Sequence, residues 1–300
     1  MHLLLTINER IEMKFKRFLN LAASVLYRLD ALLPPLVQEP NWTALAYRWQ
    51  KLGNKGILES LPQPHTFPLK QLTAIDQQKQ KLVRNTEQFL AGRPANNVLM
   101  TGARGTGKSS LVKALLHEYG HKGLRLIEVD KSDLLTLPSL LTLLSTRPEK
   151  FLIFCDDLSF EEGDDAYKAL KTTLDGGLSQ RCNNVLLYAT SNRRHLMPEY
   201  MQENDALHAG GEVHPQEAVE EKVSLSDRFG LWLSFYPFDQ QAYLTAVQNW
   251  LQTEGLPLDE TAQRAALNWS QSRGSRSGRV AWQFVCDWVG REPHQRVIDK

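Results

Sequence analysis

Cysteine is scarce: Cys155, Cys182 and Cys286 are the only three in 300 residues, widely spaced and with no CxxC pair. That excludes a disulfide framework and a thiolate zinc site, and it suits a reducing cytoplasm. Net charge is almost absent, with 35 Lys plus Arg against 34 Asp plus Glu, a formal +1. No chain-wide field draws such a molecule to nucleic acid or acidic lipid, so either partner would need a local patch. The longest apolar stretch near the N-terminus, Phe18 to Val37, is interrupted by Asn20, Arg28 and Asp30. It falls short of the uncharged ~20 residues of a membrane span, so no integral membrane association is expected. The first residues offer no small-residue cleavage site of the secretory kind. His121, His195 and His214 stand without metal-ligand spacing, and no internal repeat or long low-complexity tract is visible.

What is present is a chain rich enough in apolar residues, 42%, to bury a core. Phe18 to Leu33 has apolar residues at helical spacing and stops before Pro34-Pro35, and a second helical pattern runs from Trp42 through Ala46 and Trp49 to about Gly53. Such stripes are expected to pack on the body of the protein; a partner or a membrane surface is the other reading of them. The proline-rich loop LESLPQPHTFPLK then sets a boundary near residue 65. Beyond it, helical patterns at Asp76–Ala91, Ser109–Tyr119, Leu134–Ser145 and Asp165–Leu174 alternate with short apolar runs. The runs are Asn97–Met100, Leu124–Val129, Phe151–Cys155, Val185–Ala189 and Leu231–Phe235. This alternation predicts an α/β domain with a parallel sheet covered on both faces. Gln202 to Glu221, acidic and without apolar period, is expected to be a solvated loop. After Pro237 three helical patterns follow, Gln240–Thr253, Asp259–Ser270 and Val280–Val289. The expected organisation is therefore an N-terminal helical extension (1–65), an α/β domain (66–238) and a small helical domain (239–300).

The segment NNVLMTGARGTGKSSLVKALL places Gly102, Ala103, Arg104, Gly105, Thr106, Gly107, Lys108, Ser109 and Ser110 between a strand and a helix. That is the context a phosphate-binding P-loop requires. Glycines let successive N–H groups turn inward around phosphates, and the helix N-terminus adds a favourable dipole. Lys108 is expected to reach the β- and γ-phosphates, and Ser109 to place its hydroxyl on Mg²⁺. The buried run FLIFC ends in Asp156-Asp157, a Walker B pattern in which Asp156 would hold the metal through its water shell. Asp157 would orient, or take a proton from, the attacking water. Glu161 and Glu162 lie close by in sequence and could assist, though Glu161 reads equally as a solvated acid.

With these residues in place, the chain from about Leu69 onward resembles an AAA+ ATPase. It is most similar to an uncharacterised bacterial family of single-module AAA+ proteins carrying GARGTGKSS, CDDLSFE, YATSNRRHL and SLSDRFG, which stand here in that order. The resemblance implies a five-stranded parallel sheet with a helical lid, ATP and Mg²⁺ bound between them, and assembly into rings or other oligomers. It also implies a water-orienting sensor role for Asn192, a trans-acting arginine finger role for Arg228, and a lid contact with nucleotide for Arg279, with Arg276 as competitor. Asp-Asp replaces the Asp-Glu common in AAA+ proteins, which bears on the rate of hydrolysis. The leading expectation is an ATPase that remodels or loads a macromolecular partner, a protein in the first instance. The alternatives are a switch or scaffold with little turnover and a nucleic-acid-handling ATPase similar to helicase loaders. For the last, Arg193-Arg194-His195 and Arg273, Arg276 and Arg279 offer phosphate contacts.

Overall fold

The run Phe151–Cys155 is apolar at every position, and a strand of that kind is stable only where both faces of its sheet are covered. In the computed structural model, which describes residues 16–26, 28, 39–53, 55–161, 164–175, 182–193, 196, 225–292 and 296, it forms a central strand of a seven-stranded sheet. The strands are β1 (Ala46–Leu52), β2 (Lys55–Leu61), β3 (Val98–Gly102), β4 (Leu124–Val129), β5 (Lys150–Cys155), β6 (Val185–Ser191) and β7 (Leu231–Phe235). Their order is β2-β1-β4-β5-β6-β3-β7, and every neighbouring pair is parallel except the hairpin β1/β2.

Side-chain alternation divides the interior into two cores. Leu152 and Phe154 point with Met100 and Tyr188 toward α1 (Asp76–Leu90) and α2 (Lys108–Tyr119), whereas Phe151 and Ile153 point with Leu99 and Ile127 toward α3 (Leu137–Ser145) and α4 (Asp165–Asp175). Tyr188 joins the layers through polar contacts as well. Its buried hydroxyl accepts from Asn85 Nδ2 at 3.1 Å and shares a hydrogen bond with Thr86 Oγ1 at 2.9 Å. Burial without such partners would cost about 1–3 kcal/mol.

The chain closes with α5 (Gln240–Thr253), α6 (Glu260–Ser272) and α7 (Gly278–Gly290). Each starts at a side-chain cap: Asp239 accepts from Ala242 N, Asp259 from Ala262 N and Ser277 from Val280 N. These caps satisfy amides that have no partner inside the helix. The lid's own apolar set, including Val247, Ala266 and Phe284, is continuous with Phe235 and Met100 of the sheet, so lid and sheet share one core.

The N-terminal reading needs correction. Residues 46–61 are a β-hairpin that adds two strands to the five expected, so the boundary near residue 65 does not separate them from the sheet. Trp42, Ala46 and Trp49 mimic a helical period, but Ala46, Tyr47 and Trp49 are the buried positions of β1. The overlooked signal is Gly53-Asn54, a hairpin turn dipeptide, with Gly53 at φ +61°. Trp49 fixes the hairpin: its ring lies against Gly56, where any Cβ would overlap it, and its Nε1 donates to Thr136 Oγ1 at 2.8 Å. The first helix is found over 16–26, but its large apolar side chains are exposed instead of packed on the body. The remainder of that pattern to Leu33 apart from Arg28, the acidic stretch Gln202–Glu221, and Glu162, Arg194, His195 and His214 lie outside the described residues.

Replacing Trp49 with Ala removes a fully buried indole and its hydrogen bond. The expected loss is about 3–5 kcal/mol in urea unfolding of the whole cooperative unit. A melt unchanged to within about 0.5 kcal/mol would mean that the hairpin is peripheral to the core.

Candidate functional site

A parallel sheet directs all its strand C-termini to one edge, and here the tips of β3, β5 and β6 converge there. The turn after β3 requires glycine. Gly102, Gly105 and Gly107 have φ of +133°, +76° and +101°, a region costly for residues with a Cβ. At Gly102 a Cβ would also fall 1.8 Å from the carbonyl oxygen of Phe235, because β7 runs directly alongside. The loop encloses a cradle closed by Thr106, whose Oγ1 donates to Ala103 O at 2.8 Å. From it α2 begins at Lys108.

Lys108 is buried, and its Nζ donates to Gly102 O and Ala103 O at 2.8 Å and to Asn192 Oδ1 at 3.1 Å. Desolvation lowers its pKa from the ordinary lysine value; Asp156 and Asp157 oppose that shift, and Arg104 and Arg279 add to it. Ser109 Oγ donates to Asp156 Oδ1 at 2.6 Å. Asn192 Nδ2 donates to Asp157 Oδ1, and Arg104 stands 3.9 Å from the other oxygen of Asp157.

Thr190, two residues before Asn192 and buried, was not singled out from the sequence. Its hydroxyl donates to Asp156 Oδ1 and accepts from the backbone N–H of Asp157 at 2.8 Å. One side chain thus fixes both acids. Its place two residues before Asn192, at the end of β6, is the signal that could have found it. Asp157 itself has φ +52°, a left-handed conformation that Asp tolerates better than longer residues. The Asp-Asp departure therefore agrees with the local backbone.

These groups share a cavity of about 810 Å³ with an apolar set of lining residues: Leu72 and Ile75 ahead of α1, Phe238 after β7, and Trp250 and Trp282 of the lid. Sequence reading missed that set, because its members lie far apart in the chain and carry no motif. Ser110 and Arg279 also line the cavity, and Arg279 N donates to Gly105 O at 3.3 Å, so α7 starts in contact with the cradle. Arg276 lines a separate cavity of about 470 Å³ on the other side of Arg104. Arg228 lines neither; it pairs with Asp175 at the end of α4. Cys155, directly before the acids, is fully buried, which pushes its thiol up to about 12 and leaves it protonated at neutral pH.

The model of a family described as "Protein of unknown function (DUF815)" matches residues 42–292. The chain belongs to the DUF815 family. The match takes in the hairpin β1/β2 as well as the cradle and lid, so the DUF815 module begins well before residue 65. No curated protein matches the chain. Among solved structures, the Aeropyrum pernix Orc1 protein in complex with DNA is similar at 16% identity and TM-score 0.52, over 76% of this chain and 63% of that one, less than two thirds of its length. The Thermotoga maritima RuvB Holliday junction branch migration motor matches at 12% identity and TM-score 0.40, over 76% and 75%. The DUF815 chain has the AAA+ P-loop fold, with the five parallel strands β4-β5-β6-β3-β7 extended by the hairpin.

If Thr190 positions the two acids, Thr190→Val should weaken Mg²⁺-dependent nucleotide binding by about 10–100-fold in calorimetry. Thr190→Ser should retain it. Equal affinity in all three proteins would remove Thr190 from the site.

Proposed function

We propose that this chain is an Mg²⁺-ATP-dependent AAA+ ATPase that works as an oligomer to remodel or load a macromolecular partner. The observation that carries the reading is the convergence of Lys108, Ser109, Asp156, Asp157 and Asn192 on one glycine-lined cradle at the strand tips. The residues present fit a nucleoside triphosphate with its metal. The three left-handed glycines leave a cradle that Cβ atoms would fill, and a buried cation stands beside it. A hydroxyl and a carboxylate 2.6 Å apart are the oxygen donor pair that Mg²⁺ accepts while keeping several waters. The apolar side chains that share the cavity suit a planar base.

When bound, Mg-ATP supplies an electrophilic γ-phosphorus and a diphosphate leaving group. The chain's own groups do the rest. The amides of the cradle and the Lys108 cation neutralise phosphate charge in a site partly shielded from water. Lys108 must exchange its bonds to Gly102 and Ala103 for the ligand's oxygens, and the loss of solvent around it strengthens that interaction. Asp157 holds a water and takes its proton, and Asn192 orients the same carboxylate by hydrogen bond. Arg279, placed beside Gly105, reports the ligand to the lid. Arg228 pairs with Asp175 and does not line its own cradle, which supports a role in a neighbouring subunit's site.

A switch with little turnover is the second reading, favoured by the short side chain at Asp157. Single-turnover measurements separate the two. Asp157→Asn should bind Mg-ATP normally and hydrolyse it at least about a hundredfold more slowly, as expected on removing a general base. Arg228→Ala and Lys108→Ala should each be inactive alone, but a mixture should regain turnover, since some sites then combine an intact cradle with an intact arginine. An arginine supplied in trans can be worth about 10³–10⁵ in rate. Turnover independent of protein concentration, with no recovery on mixing, would contradict the oligomeric mechanism.

A further inference from the structure

The helix over 16–26 lies outside the family-matched region, and its composition differs from that of every other helix described. At 100° per residue, Phe18, Leu19, Leu21, Val25 and Leu26 fall within an arc of about 160°, which Ala22 and Ala23 widen to about 200°. The five large side chains are 48–66% exposed. The remaining arc carries Lys16, Arg17, Asn20, Ser24 and Arg28, and no Asp or Glu occurs from 16 to 28.

We propose that this helix lies flat on an anionic lipid surface, its apolar arc in the acyl boundary and its cations among the headgroup phosphates. Charge and geometry select this occupant. A partner helix covers one narrow stripe and would leave much of a 200° arc in water. A second copy packed through the same arc would leave the cations of both helices facing outward with no opposite charge to meet. Nucleic acid would engage the cations but leave every apolar side chain exposed. A lipid interface buries the whole arc and pairs the polar face with opposite charge, each cation near an acidic surface adding to the attraction. Among the described residues no helix is long and apolar enough to cross a membrane, so the segment would rest on the surface. This inference is independent of the nucleotide reading: it would locate the module at a membrane face without altering the cradle.

The test uses the full chain in co-sedimentation with vesicles of phosphatidylcholine alone and of phosphatidylcholine mixed with phosphatidylglycerol. The wild type should bind the mixed vesicles, release them as salt is raised, and bind the neutral ones at least about tenfold more weakly. The double substitution Leu21→Glu with Val25→Glu should lower binding to the mixed vesicles by about tenfold or more, with an unchanged cooperative melt because neither side chain is in the core. Absence of wild-type binding, or equal binding by wild type and variant, overturns the proposal. So does equal binding to both vesicle types. If the double variant instead dissociates a lipid-free oligomer in sedimentation velocity and leaves vesicle binding intact, the helix is a contact between copies, and the lipid proposal fails.

Discussion

The site is held by a closed circuit of hydrogen bonds across three strand tips. Lys108 donates to Asn192, Asn192 to Asp157, the amide of Asp157 to Thr190, Thr190 to Asp156, and Ser109 to Asp156. Lys108 and Ser109 are consecutive, so the circuit returns to where it began. Its members come from the cradle after β3, the end of β5 and the end of β6, which are not consecutive in sequence but are brought side by side by the order β5-β6-β3. The buried members, Lys108 and Thr190, are thereby satisfied by the more exposed Asn192, Asp156 and Asp157, and a displacement that left either buried group unpaired would cost about 1–3 kcal/mol. The left-handed backbone at Asp157 persists because Thr190 and Asn192 hold both ends of that residue.

The same constraint accounts for the rest of the domain. Parallel strands must be covered on both faces, so the two cores and their flanking helices exist to keep the tips in register. The lid shares a core with the sheet and touches the cradle at Gly105, so a change in the cradle is felt directly at the start of α7. The proposed transmission from nucleotide to lid needs no longer pathway than that contact.

Much of this was legible in the residues. The cradle and the acid pair announce themselves because phosphate and metal binding demand particular residue types at fixed spacing, and the flanking apolar runs show the strand and helix context. The lid helices were readable from a period of 3.6, and their capping residues Asp239, Asp259 and Ser277 stand where the chemistry of helix starts requires. What failed was short-range. The stripe Trp42, Ala46 and Trp49 fits a helix and a strand almost equally, and only Gly53-Asn54 discriminates. Thr190 escaped notice because its role depends on the tertiary pairing of β5 with β6, and Trp250 and Trp282 because an apolar wall has no motif. The exposure of the 16–26 helix could not be read from its pattern, since a core stripe and a lipid-facing stripe look alike in one dimension.

The central claim is that the circuit is the binding site of a metal–triphosphate. Crystals grown with Mn²⁺ and a non-hydrolysable ATP analogue test it directly through anomalous scattering. The account predicts one strong Mn²⁺ peak bonded to Ser109 Oγ, with Asp156 in its inner or water-mediated shell and the phosphates within the cradle of Gly105 to Lys108. A peak elsewhere, or a nucleotide seated away from Lys108, would contradict it.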